Sequence, residues 1–153
     1  THLDVPVNEV NATILADERG VRVAEVKRPR RVDFASSVSL RAKGKGGSRF
    51  PQGTAFQVGE ENEPRLVRID DYVLDAAAEG RILFVRNADK PGVIGTIGTL
   101  LGERGINVAR LHVGRGKAAS AIMLWQVDAE MATSLLDEVR KLPHVETADQ
   151  VVV

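Results

Sequence analysis

The chain of 153 residues contains no cysteine, which removes disulfides, thiolate nucleophiles and cysteine-held metals together. Its three histidines, His2, His112 and His144, are scattered rather than set at ligand spacing, so no metal is expected. Aromatic residues are scarce, with one Trp, one Tyr and four Phe. Without a run of basic and aromatic residues on neighbouring strands there is no platform on which nucleic-acid bases could stack. Charge of one sign does not dominate either, because 21 Lys and Arg balance 21 Asp and Glu. No global field draws the molecule to nucleic acid or to an anionic membrane, although residues 27–31 form a local basic cluster. No apolar run approaches the roughly 20 residues that span a bilayer, and no secretory apolar region is present. The expectation is a cytoplasmic protein with no membrane contact. The chain begins at Thr1 without a methionine, as an excised piece of a longer protein would.

What is present is a hydrophobic content of 43%, ordinary for a packed core, arranged in two distinct patterns. Residues 10–20 read as a short helix stopped by Gly20, and residues 21–26 as a strand. Over residues 34–43 Phe34, Ser36, Val38, Leu40 and Ala42 alternate with the intervening positions, the period of a half-buried strand. A turn follows at 43–48. Strands are expected at 54–58 and 65–69, separated by an acidic turn at 59–64, with Asp70 and Asp71 punctuating before Tyr72. The first half therefore reads as antiparallel sheet. Ala76-Ala-Ala-Glu-Gly80 is a short small-residue stretch between two complete patterns, and the domain boundary is placed there, giving 1–79 and 80–153.

The second half reads strand (81–87), helix (92–104), strand (106–113), turn (114–117), strand (119–127), helix (129–142) and strand (145–153). In the first of these helices Val93, Ile94, Ile97, Leu100 and Leu101 form an apolar stripe. In the second, Met131, Leu135, Val139 and Leu142 do so, after Asp128 as the N-cap and before Pro143 as the stop. Two helices on one face of a four-stranded antiparallel sheet is the ferredoxin-like arrangement, so the fold class is α+β in two small domains. The same βαββαβ order occurs in RNA-recognition modules, but the paucity of aromatics argues against that use.

One junction stands out as a small-ligand site. Asn87-Ala-Asp-Lys-Pro-Gly-Val-Ile-Gly-Thr-Ile-Gly98 carries a strand into a glycine-rich helix start, where unpaired backbone N–H groups favour a carboxylate or phosphate. Gly95, Gly98 and Gly102 each cost the helix about 1 kcal/mol relative to alanine, so tertiary contact must offset the loss. Close packing is the plainer reading for Gly98 and Gly102, and ligand approach for Gly92 and Gly95. The spacing G-x-x-G-x-x-G is not the dinucleotide fingerprint G-x-G-x-x-G. Asp89 either satisfies turn backbone or receives a ligand ammonium. Asn107, at the start of a strand where Asn is disfavoured, has a hydrogen-bonding role that is structural or ligand-directed. His112 reads as a packed or surface residue, and Trp125 as core or interface. Arg49, Arg65 and Arg68, with Lys43 and Lys45, either hold an anion or are solvated edge charges.

The segment from Asn87 to Gly95, followed by Glu103-Arg-Gly-Ile-Asn107-Val, resembles the effector-holding part of ACT domains. Residues 10–20, residues 48–56 with Gly53-Thr54, and residues 66–75 resemble the intervening domain that precedes the ACT domain in long-form D-3-phosphoglycerate dehydrogenases. The two resemblances cover nearly the whole chain. They imply that catalytic and NAD-binding domains lie upstream, that this chain has no catalytic residues and no cofactor of its own, and that chains self-associate through ACT domains. They also imply an effector, L-serine or another small amino acid, bound between subunits by Asn87, Asp89, Pro91, Gly92, Val93, Ile94, Gly95 and Asn107. Asn87 departs from the His or Tyr frequent at its position in that family, and Thr13 stands where Pro is common. The intervening domain is implied to carry an anion near Arg49 and Arg65. Two alternatives share this resemblance: the regulatory part of an iron–sulfur L-serine dehydratase, and an ACT dimerisation module without ligand response.

Overall fold

The computed structural model describes residues 8, 10–20, 22–23, 37–40, 42–44, 47–49, 51–58 and 61–153, with 42–44, 47–49, 55–58 and 61–62 described by backbone alone. The strand expected at 21–26, the basic run 27–31 and the start of the alternating segment at 34–36 fall largely or wholly outside these residues. The chain divides into two units, Thr1–Arg31 and Val32–Val153. In the first, α1 spans Ala12–Glu18 and is followed by Gly20 in the left-handed region at φ 69°, the conformation for which glycine has no Cβ penalty.

The second unit contains two four-stranded sheets. In the first, β1 (Val38–Ser39), β4 (Pro51–Val58), β5 (Glu61–Ile69) and β6 (Tyr72–Ala77) pair antiparallel in that order. Here β2 (Ala42–Gly44) and β3 (Gly47–Arg49) form a separate hairpin with Gly44 opposite Gly47. The single strand expected over 34–43 is thus broken at Leu40, because the residues after it pair with the glycine hairpin instead of with β4. The acidic turn expected at 59–64 is shorter than foreseen, since Glu61 already pairs with Val58 and Pro64 with Ala55. Proline is tolerated in β5 because β6 reaches only as far as Arg65, leaving that stretch of β5 with one side unpaired among the described residues.

The second sheet has the order β10-β7-β9-β8, built from β7 (Arg81–Ala88), β8 (Val108–Arg115), β9 (Ser120–Val127) and β10 (Val145–Val152). With α2 (Val93–Glu103) and α3 (Thr133–Arg140) it realises the expected βαββαβ order. Alternation splits its residues between two buried faces, which explains why β7 and β9 read as nearly continuous apolar runs. Leu83, Val85, Met123, Trp125 and Val127 pack under the helices with Val93, Ile97, Leu101, Leu135 and Val139. Ile82, Ile122 and Leu124 face the other way, where Tyr72, Leu74 and Ala76 of β6 cover them. Ala76, expected to mark a linker, is therefore a buried strand residue.

Three sequence expectations need correction here. Ile94 is not part of the buried stripe of α2; Val93, Ile97 and Leu101, four residues apart, take the inward line and leave Ile94 45% exposed. Asp128 does not cap α3, which starts at Thr133 after an extended Ala132 (ψ 149°). Its carboxylate is held instead by Asn107, and Met131 reaches the core from ahead of the helix rather than within it. Finally, Gly114 and Arg115 belong to β8, and the turn lies beyond them at 116–119. Among the described residues no helix is long and apolar enough to cross a membrane.

Candidate functional site

β7 delivers Asn87 to the helix-covered face at one end of the sheet, opposite Ala121 of β9. Asn87 is fully buried. Its Nδ2 donates to the carbonyl of Ala88 at 2.7 Å, while its Oδ1 has no hydrogen-bond partner among the described residues. An orphaned buried acceptor costs about 1–3 kcal/mol, so such groups are rare and call for a specific reason. Two residues on, Asp89 leaves the strand; its N–H donates to the carbonyl of Ala119 at 2.7 Å and its carboxylate meets Arg115 Nε at 3.2 Å. The Asp89 side chain is about a third exposed at 35% and that of Arg115 is 77% exposed, so this pair is solvent-screened.

The chain then turns into α2 through Gly92, whose φ of 90° lies in the left-handed region. The Thr96 N–H donates to Gly92 at 2.9 Å, and no side chain caps the helix. The first-turn N–H groups are thereby left at the helix surface, where they favour an anionic group. Pro91, Gly92, Ile94 and Gly95 are exposed along this entry, whereas Val93 is buried in the core. Of the three helix glycines only Gly98 faces a neighbour, the Trp125 ring, which a Cβ would approach at 3.9 Å; Gly95 and Gly102 face open space. Beside them an open groove of about 570 Å³ is lined by Gly92, Gly95, Thr96, Thr99, Leu100, Glu103 and Leu142. Trp125, fully packed, has no partner for its Nε1 among the described residues.

Asn107 is elsewhere. Its Nδ2 donates to Asp128 Oδ2 at 2.6 Å and its carbonyl accepts from the Asp128 N–H at 3.2 Å. Asp128 follows Val127, the partner of Arg81, so Asn107 marks the opposite end of the sheet from Asn87. Six strand steps of about 3.3 Å separate those ends by roughly 20 Å. One chain thus gathers Asn87, Asp89, Pro91, Gly92, Val93, Ile94 and Gly95 but not Asn107.

On the first sheet Arg65 Nε donates to Asp75 Oδ1 at 2.8 Å, and its guanidinium lies 3.7 Å from Glu63. The hydrogen bond to Asp75 pushes the Arg65 pKa up from an already basic value, so the group stays charged throughout the neutral range. Its charge is met by carboxylates of its own sheet. Arg49 lies in the β2–β3 hairpin, opposite Ala42. His112, in β8 opposite Leu124, is half-buried. Sequence reasoning passed over Arg115 and Tyr72, the first because its flanking glycines read as a turn. The only tyrosine in the chain was the available signal for the second.

Residues 81–144 match the ACT domain family model, and residues 2–70 match the model of the D-3-phosphoglycerate dehydrogenase intervening domain. The chain carries an ACT domain behind a D-3-phosphoglycerate dehydrogenase intervening domain. Among its relatives, the D-3-phosphoglycerate dehydrogenase of Synechocystis is 36% identical over 143 residues, 93% of this chain and 25% of that protein. The enzymes of the same name from Archaeoglobus fulgidus and Bacillus subtilis are 32% and 31% identical, over 91% and 94% of this chain and 26% and 27% of their own lengths. The chain thus spans about a quarter of the length of the curated relatives it matches. The ACT match takes in β7, α2, β8, β9 and α3, and the intervening-domain match takes in β1 to β5; β6 and β10 lie outside both matched ranges.

Proposed function

We propose that this chain is the regulatory part of a D-3-phosphoglycerate dehydrogenase and that it binds L-serine, giving feedback control of L-serine biosynthesis. In this reading residues 1–79 are the intervening domain and 80–153 the ACT domain, while catalysis and NAD belong to further domains of the parent protein. The single observation that carries the ligand is Asn87, buried with an acceptor that has no partner among the described residues, two positions before Asp89 on the way into α2. An amino acid needs acceptors for its ammonium and donors for its carboxylate. Asn87 Oδ1 and Asp89 supply the first and the amides of α2 the second. A phosphate would meet Asp89 as a like charge.

Asn107 joins the site from a second copy. β8 is an edge strand, paired only with β9 among the described residues, and a twofold contact along that edge sets one copy's Asn107 end against the other's Asn87 end. Ligand that bridges two copies favours one arrangement of the pair over others, and this biases the domains attached to them. A second reading is a dimerisation module without ligand response, favoured by the fact that Asp89 and Asn107 already have partners in Arg115 and Asp128. Isothermal titration with L-serine separates the two. Saturable heat, abolished by Asp89→Ala together with Asn107→Ala, is the expected result. Undiminished heat in that variant overturns the site, and no heat in the unmodified chain leaves the dimerisation module.

A further inference from the structure

The hairpin turn between β8 and β9 is held from two sides. On the side of the first sheet, Tyr72 of β6 places its ring against the end of β8 and the turn after it, where Gly114 and Gly116 leave room for it. A Cβ on Gly116 would lie 2.8 Å from Tyr72 Cδ1 and closer still to Cε1, and one on Gly114 would lie 3.3 Å from Tyr72 Cβ. The ring is also covered by Arg86, whose guanidinium carbon is 5.4 Å from its centroid and whose Nη2 lies 3.4 Å from Asp70. The Tyr72 hydroxyl meets Ser120 Oγ at 2.9 Å, and Ser120 Oγ lies 2.8 Å from the Lys117 carbonyl. Because Ser120 has one proton and the carbonyl can only accept, Tyr72 is the donor to Ser120.

On the other side, the turn holds the effector loop. The carbonyl of Ala119 accepts the Asp89 N–H at 2.7 Å, and Arg115 pairs with the Asp89 carboxylate. Between the two grips Ala118 and Ala119 both sit in the left-handed region, at φ 58° and 53°. An L-residue there is disfavoured by about 1–2 kcal/mol and persists only where its surroundings impose it. The Gly116 N–H donating to Ser120 at 2.8 Å and the Tyr72–Ser120–Lys117 chain supply that constraint.

We propose that Tyr72, a residue of the intervening domain, is a positioning residue for the effector loop: through Ser120 it fixes the 116–119 turn that presents the Ala119 carbonyl to Asp89. This rests on the reading of Asp89 as an effector ligand only for its consequence in binding, not for the mechanical link itself. It makes the intervening domain part of the effector site's support, so a change in how β6 sits on the ACT sheet alters the site, and the reverse.

Hydrogen exchange measured by NMR on the whole chain tests the link without ligand. Tyr72→Phe keeps the ring and removes only the hydroxyl. The Asp89 and Gly116 amides are expected to exchange about three- to tenfold faster, the factor for one hydrogen bond of ordinary net strength, while the Leu83 and Val85 amides are unchanged. Ser120→Ala is expected to give the same pattern. Unchanged Asp89 exchange in both variants overturns the proposal, whatever L-serine does. Titration with L-serine then tests the consequence, with affinity in Tyr72→Phe expected to fall about threefold or more. Faster Asp89 exchange with unaltered serine affinity overturns the link to binding. Faster exchange with no serine heat in the unmodified chain supports the positioning role and removes the serine reading instead.

Discussion

The two ends of the ACT sheet carry the same kind of residue in opposite conditions. At one end Asn87 is buried, with an acceptor left over; at the other Asn107 is exposed, with its amide held by Asp128. The first is an unmet demand inside a rigid frame, and the second is a group that can exchange one partner for another at little cost. The proposed site would join a fixed half to an adjustable half, and the separation of the ends within one chain is why the proposal takes them from two copies. Tyr72, Gly116 and the core under α2 hold the Asn87 end in shape, whereas the exposed Asn107 side chain is held by its hydrogen bond to Asp128.

Substitutions at the two ends should therefore differ in kind. Gly116→Leu forces a side chain into the Tyr72 ring and is expected to lower stability to denaturant by about 1–3 kcal/mol, the usual range for overpacking. An effect below about 0.5 kcal/mol would mean that β6 is not seated on β8 as described. Asn107→Ala removes one exposed hydrogen bond to a carboxylate, and its expected cost is smaller, about 0.5–1 kcal/mol, by the same denaturation measurement. A cost as large as that of Gly116→Leu would erase the contrast between the ends.

Much of this was legible from residue order, and the reasons for what was not are specific. The βαββαβ order followed from periodicity because α2 and α3 each bury one line of residues and β7 and β9 are apolar on both faces. The junction at Asn87 was legible because a strand, a polar loop and a glycine-rich helix start are contiguous. The placement of Asn107 was not, since the distance between two strand ends depends on pairing register and not on sequence separation. Gly114 and Gly116 read as turn formers because glycine signals a turn locally, yet their role is to admit a tyrosine from a strand about 40 residues earlier. Asp128 read as a helix cap from its neighbours alone, and a tertiary partner, Asn107, took its carboxylate.

The most direct test of a site shared between copies is complementation in mixed dimers. Asp89→Ala and Asn107→Ala chains are each expected to lose L-serine binding when pure. Mixed in equal amounts and allowed to exchange partners, half of the dimers pair one of each and hold one intact site, so titration should recover about a quarter of the unmodified chain's sites. No recovery on mixing, or full binding by the Asn107→Ala chain alone, would contradict a site built from the two ends of two copies.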